Sequence, residues 1–232
     1  MTRLGIVTGL AFEAAIVGRA ARRWLPGPEP LLAWAAGDPD LAYEEALRMA
    51  EGGARVLISF GLAGGLDPAL APGTLYLADT VVTADGTVVR TDPVWRIRCQ
   101  KLARELTDLE TGPMAASEAV VVTPADKQML AHRTGGRAVD MESLGVARAA
   151  ADTGVPCLIL RAIADPAGQT LPRAALAAMT PKGTIDIPGV LAGLARRPLD
   201  VVRMIALARQ SASAQRTLGT VAGRLLPRLV AL

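Results

Sequence analysis

The sequence predicts a three-layer α/β/α domain around a mixed central β-sheet. Apolar strand-like runs alternate with helix-patterned stretches along most of the chain, and an Asp85-Gly86 hairpin signal interrupts that alternation in the middle. The chain has 232 residues, 51% hydrophobic and 20% charged, enough for one domain with a substantial core. Residues 1–232 are therefore read as a single domain.

The elements follow in order. Residues 4–8, Leu-Gly-Ile-Val-Thr, read as a first buried strand, and residues 12–24 as a helix broken by Leu25-Pro26-Gly27-Pro28. A second strand at 31–36 precedes a helix at 43–52, with Leu41, Ala46, Leu47 and Ala50 on one side. The apolar run 55–60 is a strong strand that enters a glycine turn, Gly61-Leu62-Ala63-Gly64-Gly65-Leu66. Runs 74–82 and 87–90 form the hairpin across Asp85-Gly86. A helix at 97–106, strands at 114–122 and 137–141, a helix at 142–153 and a buried strand at 157–164 complete the alternation. The chain then changes character. Short apolar helices flank Pro181-Lys182-Gly183 in an insertion at 170–198, and a long helix runs over 199–226.

Composition narrows the chemistry. The net charge of +3 comes from scattered basic residues, and aromatics make up 3%, which argues against stacking on single-stranded nucleic acid. Cys99 and Cys157 are far apart and Cys157 opens an apolar strand, so neither a disulfide framework nor a thiolate metal site is expected. His132 is the only histidine, which excludes a two-histidine metal site within one chain; its polar surroundings read as a solvated loop. No signal-peptide pattern and no uncharged run of membrane-spanning length is present, so the expectation is a cytoplasmic protein without metal or cofactor.

What remains are carboxylates at strand ends. Glu13 lies in the first turn of the first helix, Glu142 at the start of the helix after Gly136-Arg137-Ala138-Val139-Asp140-Met141, and Asp165 where the strand 157–164 ends. Ligands of α/β sheets bind beyond such ends, and a carboxyl leaving an apolar strand is suited to act as an acid. Singly, Glu13 and Glu142 also read as carboxylates favoured by a helix dipole, and Asp165, before Pro166, as a turn former. Ala63 and Gly64, small residues after a buried strand, would let a flat ligand approach the backbone.

These segments, Gly5-Ile6-Val7 through Glu13, Gly61 to Leu66, Val139-Asp140-Met141-Glu142-Ser143 and Arg161-Ala162-Ile163-Ala164-Asp165, resemble those of the nucleoside phosphorylase and nucleosidase superfamily. That superfamily includes methylthioadenosine/adenosylhomocysteine nucleosidases and futalosine hydrolases. The resemblance implies a nucleoside phosphorylase-like fold and cleavage of an N-glycosidic bond. It implies that Met141 and Glu142 hold the ribose, with Asp140 beside them. Asp165 would help protonate purine N7, and Glu13 would activate the attacking water. Protonating the base makes it a neutral leaving group, while a carboxylate stabilises the oxocarbenium-like sugar. Asp165 is expected to have a raised pKa and Glu13 to stay ionised.

Hydrolysis is favoured over phosphorolysis because Ile58-Ser59-Phe60 lacks the arginine of similar hexameric phosphorylases, and Glu13 would repel phosphate. Phosphate stays open as a co-substrate, with Arg19, Arg22 or Arg90 as candidate cations. Where similar nucleosidases stack an aromatic on the purine, this chain reads Ser117-Glu118-Ala119-Val120-Val121, so Val120 and Val121 are expected to sandwich the base. The apolar insertion and Ala195-Arg196-Arg197-Pro198 resemble the hopanoid-associated branch, whose members are implicated in removing adenine from adenosylhopane. The implied partner is an adenine nucleoside with a large apolar substituent. Access to lipid would be peripheral, and the resemblance also implies a homo-oligomer. A catalytically inactive nucleoside-binding protein is the reading from another class.

Overall fold

A computed structural model describes residues 1–24, 27–172 and 200–231. The expected insertion lies almost wholly outside the described residues, only its first residues, 170–172, being included. The strands are β1 (Leu4–Thr8), β2 (Leu31–Trp34), β3 (Val56–Gly65), β4 (Leu75–Val82), β5 (Val88–Arg90), β6 (Leu109–Ala116), β7 (Ala138–Asp140) and β8 (Cys157–Asp165). The helices are α1 (Ala11–Ala21), α2 (Pro39–Glu51), α3 (Pro93–Arg104), α4 (Pro124–Thr134), α5 (Ser143–Thr153), α6 (Asp200–Thr220) and, after a π turn at Val221–Leu225, α7 (Leu226–Val230).

Period-two alternation sends strand side chains into two apolar layers. Ile6, Ile58, Phe60, Leu158 and Leu160 pack on one face with Val17 of α1, Cys99 of α3 and Leu218 of α6. Val7, Leu57 and Ile159 pack on the other with Ala46 of α2 and Val146 of α5. The mixed α/β architecture is thus the expected one.

The sheet goes further than expected, because it closes on itself. β3 pairs with β8 in parallel, β8 with β4 antiparallel, β4 with β6 and β6 with β7 in parallel, and β7 returns antiparallel to β3. The closing contact is short, Gly64 opposite Val139 and Gly65 opposite Ala138. It corrects the reading of Gly61 to Gly65 as a turn: these residues continue β3, Gly61 to Gly64 paired with β8 and Gly64 and Gly65 paired with β7. A register shift between Ala63 and Gly64 sets Gly64 opposite Asp165. One irregular strand end therefore gathers the Val139 and Asp165 segments.

Three helices begin with a shared local signature, a capping side chain followed by proline: Asp38-Pro39, Asp92-Pro93 and Thr123-Pro124. Each cap accepts a backbone N–H in the first turn, worth about 1 kcal/mol, and proline suits the first helical position because its missing N–H would be unbonded there. This starts α2 and α3 about four residues before the hydrophobic periodicity does. It also creates α4, which apolar periodicity does not reveal. His132 accordingly sits in the last turn of α4, exposed, rather than in a loop.

The expected strand 114–122 is displaced: β6 ends at Ala116. Ser117 turns the chain there, its hydroxyl donating to the Ala119 carbonyl at 2.6 Å, which frees 118–122 from the sheet. At the C-terminus, Pro227 lacks the N–H that would bond Gly223, and the helix widens into the π turn. The Trp24 indole donates to the Ala222 carbonyl at 3.0 Å within that turn.

Candidate functional site

A cavity lies where β3, β7 and β8 converge. Its lining includes every residue expected to be catalytic or to bind substrate, Glu13, Ala63, Gly64, Val120, Val121, Asp140, Met141, Glu142 and Asp165, but none of the candidate phosphate cations Arg19, Arg22 and Arg90. Leu10, Leu62, Val139 and Leu171 add apolar surface, and Arg161 adds a cation.

Glu13 folds back over the start of its own helix. Its Oε2 accepts from Gly9 N at 2.9 Å and Leu10 N at 2.8 Å, and Oε1 accepts from Leu62 N at 2.8 Å. An ionised carboxylate has roughly four acceptor directions, so one remains for a water. Burial raises the Glu13 pKa to about 7, opposed by the Arg161 charge and by hydrogen bonds from Leu10 and Leu62. This corrects the expectation that Glu13 stays simply ionised: enclosure at the cavity floor outweighs the helix N-terminus, and Glu13 titrates near neutrality. A base must be ionised to take a proton. The acid limb of kcat/KM is therefore expected near pH 7, with activity falling below it, as a pH–rate profile would record.

Arg161 organises one end of the cavity. It is buried in β8, with Nη2 bonded to Ser59 Oγ at 2.6 Å and to Glu142 Oε2 at 3.1 Å. The same nitrogen meets Asp140 Oδ2 at 2.5 Å. The oxygens of Asp140 also accept from Ser143 N and Ser143 Oγ. Asp140 therefore lines the cavity with its carboxylate already engaged, and its effect on a ligand passes through Arg161 and the start of α5. Among the described lining residues Arg161 is the one cation facing Glu13, Asp140 and Glu142, so negative charge is in excess. Burial, and then repulsion from Asp140, raise the Glu142 pKa against the attraction of Arg161. Sequence reading quoted Arg161 only as part of a motif. A lone arginine between Cys157-Leu158-Ile159-Leu160 and Ala162-Ile163-Ala164, within one apolar run, is the signal that it must meet buried carboxylates.

Two glycines let these carboxylates approach the backbone. A β-carbon on Gly61 would lie 2.6 Å from Glu13 Oε2 and 2.7 Å from Arg161 Nη1, and one on Gly9 would strike the Glu142 carboxylate. Both neighbours of Gly61 are anchored and cannot retreat. Gly61→Ala is expected to lower stability by about 1–3 kcal/mol and to displace Glu13, read as a lower Tm together with lost turnover.

Asp165 lies at the other end of the cavity. Burial raises its pKa, the expected direction, while Lys127 opposes the rise. Lys127, in the first turn of α4, is itself buried; its ammonium meets Asp165 Oδ2 and donates to the Pro166 carbonyl at 2.8 Å. Sequence reading missed this lysine because it missed α4. The signal was Thr123-Pro124-Ala125-Asp126, a capping pattern directly before it. Above the cavity, Leu171 N donates to Val122 O at 3.0 Å, which ties the first residues after β8 to the segment carrying Val120 and Val121. No aromatic side chain lines the cavity among the described residues.

A family model described as the phosphorylase superfamily matches residues 35–184. This chain belongs to the phosphorylase superfamily. The matched stretch contains Glu142, Arg161 and Asp165, whereas Glu13 precedes it. Among curated superfamily relatives, futalosine hydrolase of Streptomyces coelicolor is 34% identical over 131 residues, 49% of this chain and 54% of that protein. Aminodeoxyfutalosine nucleosidase of Campylobacter jejuni is 30% identical over 134 residues, 50% of this chain and 58% of that protein. The chain thus spans little more than half the length of the curated relatives it matches.

Solved structures agree on the fold. The 5'-methylthioadenosine/S-adenosyl homocysteine nucleosidase of Helicobacter pylori superposes with a TM-score of 0.73 at 17% identity, covering 100% of this chain and 99% of that one. Futalosine hydrolase of the same organism gives 0.72 at 18% identity, covering 100% and 98%.

Proposed function

We propose that this superfamily member hydrolyses the N-glycosidic bond of an adenine nucleoside, with Asp165 as the acid toward the purine and Glu13 as the base toward water. The observation that carries the reading is that Glu13, Glu142 and Asp165, from three separate segments, line one cavity with Met141 among them. Asp165 protonates the base at N7, so adenine leaves neutral. Glu142, braced by Arg161, accepts hydrogen bonds from the ribose hydroxyls as the sugar gains positive charge. Glu13 takes a proton from water through its remaining acceptor direction. The small residues Ala63 and Gly64 admit the flat base, and Val120 and Val121 cover it with aliphatic surface in place of an aromatic ring.

Water is favoured over phosphate because the cation in the lining, Arg161, is committed to Asp140 and Glu142, and Glu13 adds negative charge where a nucleophile would enter. No cofactor takes part in this scheme. For the ribose substituent, the reading is a large apolar group, as in adenosylhopane. It rests on the aliphatic lining and on Leu171, which brings the start of the apolar insertion to the cavity. Among the described residues no helix is long and apolar enough to cross a membrane, so a lipid-linked substrate would be met at the surface. A homo-oligomer in the cytoplasm is part of the same proposal.

The test compares adenosylhopane, methylthioadenosine and adenosine as substrates, with and without phosphate. Preferred cleavage of adenosylhopane, releasing adenine and a hopane-linked ribose with a free anomeric hydroxyl, is the expected result. Rapid cleavage of methylthioadenosine with adenosylhopane ignored would defeat the apolar-substituent reading. A phosphate requirement with a ribose 1-phosphate product would establish phosphorolysis instead.

A further inference from the structure

We propose that Lys127 is the proton store for Asp165: in the free enzyme the mobile proton rests on the Lys127 ammonium, and it reaches the purine through the Asp165 carboxyl. The proposal rests on the reading of Asp165 as the acid, and it solves a difficulty in that reading. An acid must carry a proton, yet Asp165 Oδ2 is in contact with an ammonium, which favours the ionised carboxylate. A buried carboxylate–ammonium pair in direct contact holds as many protons as a carboxylic acid beside an amine.

The placement of Lys127 has no simpler purpose. It is 1% exposed. It stands in the first turn of α4, where the helix dipole disfavours a cation. As a buried ion pair it adds little to stability over apolar residues. Its recorded acceptors are Asp165 Oδ2 and the Pro166 carbonyl, both at the cavity edge. Among the described residues, the surrounding charges are exposed or engaged elsewhere. Asp126 on α4 accepts from Thr123 Oγ1, while His132, Arg133 and Glu118 are exposed. Asp67, following β3, pairs with Arg137. Asp140 on β7 and Glu142 at the start of α5 face Arg161 on β8, which also acts on Glu13.

The step balances. A proton passes from Lys127 Nζ to Asp165, and Asp165 delivers a proton to purine N7 as the glycosidic C–N bond breaks. The bonding pair leaves with the purine, which is neutral because it is protonated. Lys127 is left as a neutral amine, Glu13 holds the proton taken from water, and both groups return to their starting states by exchange with solvent. Lys127 is thus a positioning residue that acts through Asp165.

The test has a readout independent of turnover. Carboxyl carbon NMR of 13C-aspartate-labelled protein, assigned with Asp165→Asn, gives the titration of Asp165, while adenine release gives kcat/KM against pH. The expected result is that Asp165 ionises well below the basic limb of kcat/KM in the unaltered protein. Coincidence of the two would overturn the proposal. The variants sharpen it. Lys127→Arg keeps the charge, and so keeps Asp165 ionised, but guanidinium does not release its proton. It is expected to lose about 100-fold near pH 7, on the scale of a general acid, and to be slower than Lys127→Met, in which Asp165 regains its own proton. Arginine restoring the original rate and pH profile would overturn the proposal. If the unaltered protein releases adenine from no nucleoside, the functional reading fails instead, and the NMR titration still reports whether the pair is ionised.

Discussion

Asp165→Asn is expected to reduce adenine release by about 100- to 10,000-fold, the usual worth of a general acid, with a smaller change in KM. An asparagine keeps the size of the side chain and can still accept a hydrogen bond from Lys127, but it brings no proton to the purine. The structure adds a consequence for stability. Asp165 neutralises a buried ammonium, and removing one partner of a buried pair typically costs about 3–5 kcal/mol. The substitution should therefore lower Tm. The double variant Asp165→Asn/Lys127→Met removes both charges and should recover much of the lost stability without recovering activity. Thermal unfolding and adenine release on the same samples separate the two effects. Undiminished activity in Asp165→Asn would remove Asp165 from the chemistry.

Glu13→Gln is the second large effect. Loss of the base is expected to cost about 100- to 10,000-fold in kcat and to abolish the acid limb near pH 7, since the titrating group is gone. The amide also fits its surroundings poorly. Gly9 N, Leu10 N and Leu62 N all donate to the carboxylate, and a glutamine turns its NH2 toward at least one of them. A buried donor left without an acceptor costs about 1–3 kcal/mol, so Tm should fall with the rate. A variant that keeps the acid limb would show that another group, Glu142 being the nearest candidate, sets it.

The contrast between Glu13 and Lys127 shows what was legible in the sequence. Glu13, Glu142 and Asp165 stand at the boundaries of strongly patterned segments, where a polar residue beside an apolar run is conspicuous, and the structure brings all three to one cavity. Lys127 stands in a polar helix with little amphipathic pattern, formed through its Thr123-Pro124 start, and its partner lies 38 residues away. Periodicity cannot reveal such a pairing. That β3 and β8 are buried strands was legible in their apolar runs, as expected of strands covered on both faces. The closure through β7 was not, because it depends on a few residues at Gly64 and Gly65 that read locally as a glycine turn. Val120 and Val121 line the cavity although the strand expected to carry them ends earlier: Ser117 closes β6 and leaves them on an irregular segment. The ionisation of Glu13 was misjudged because position in a helix is visible in sequence and burial at a cavity floor is not.

The central claim is that this cavity breaks a glycosidic bond with water. It is tested most directly by incubating the purified protein with the adenine nucleoside panel in 18O-labelled, phosphate-free water and analysing both products. The account predicts free adenine and a sugar carrying one 18O at C1. Nucleosides bound but recovered intact would contradict it and favour a binding protein.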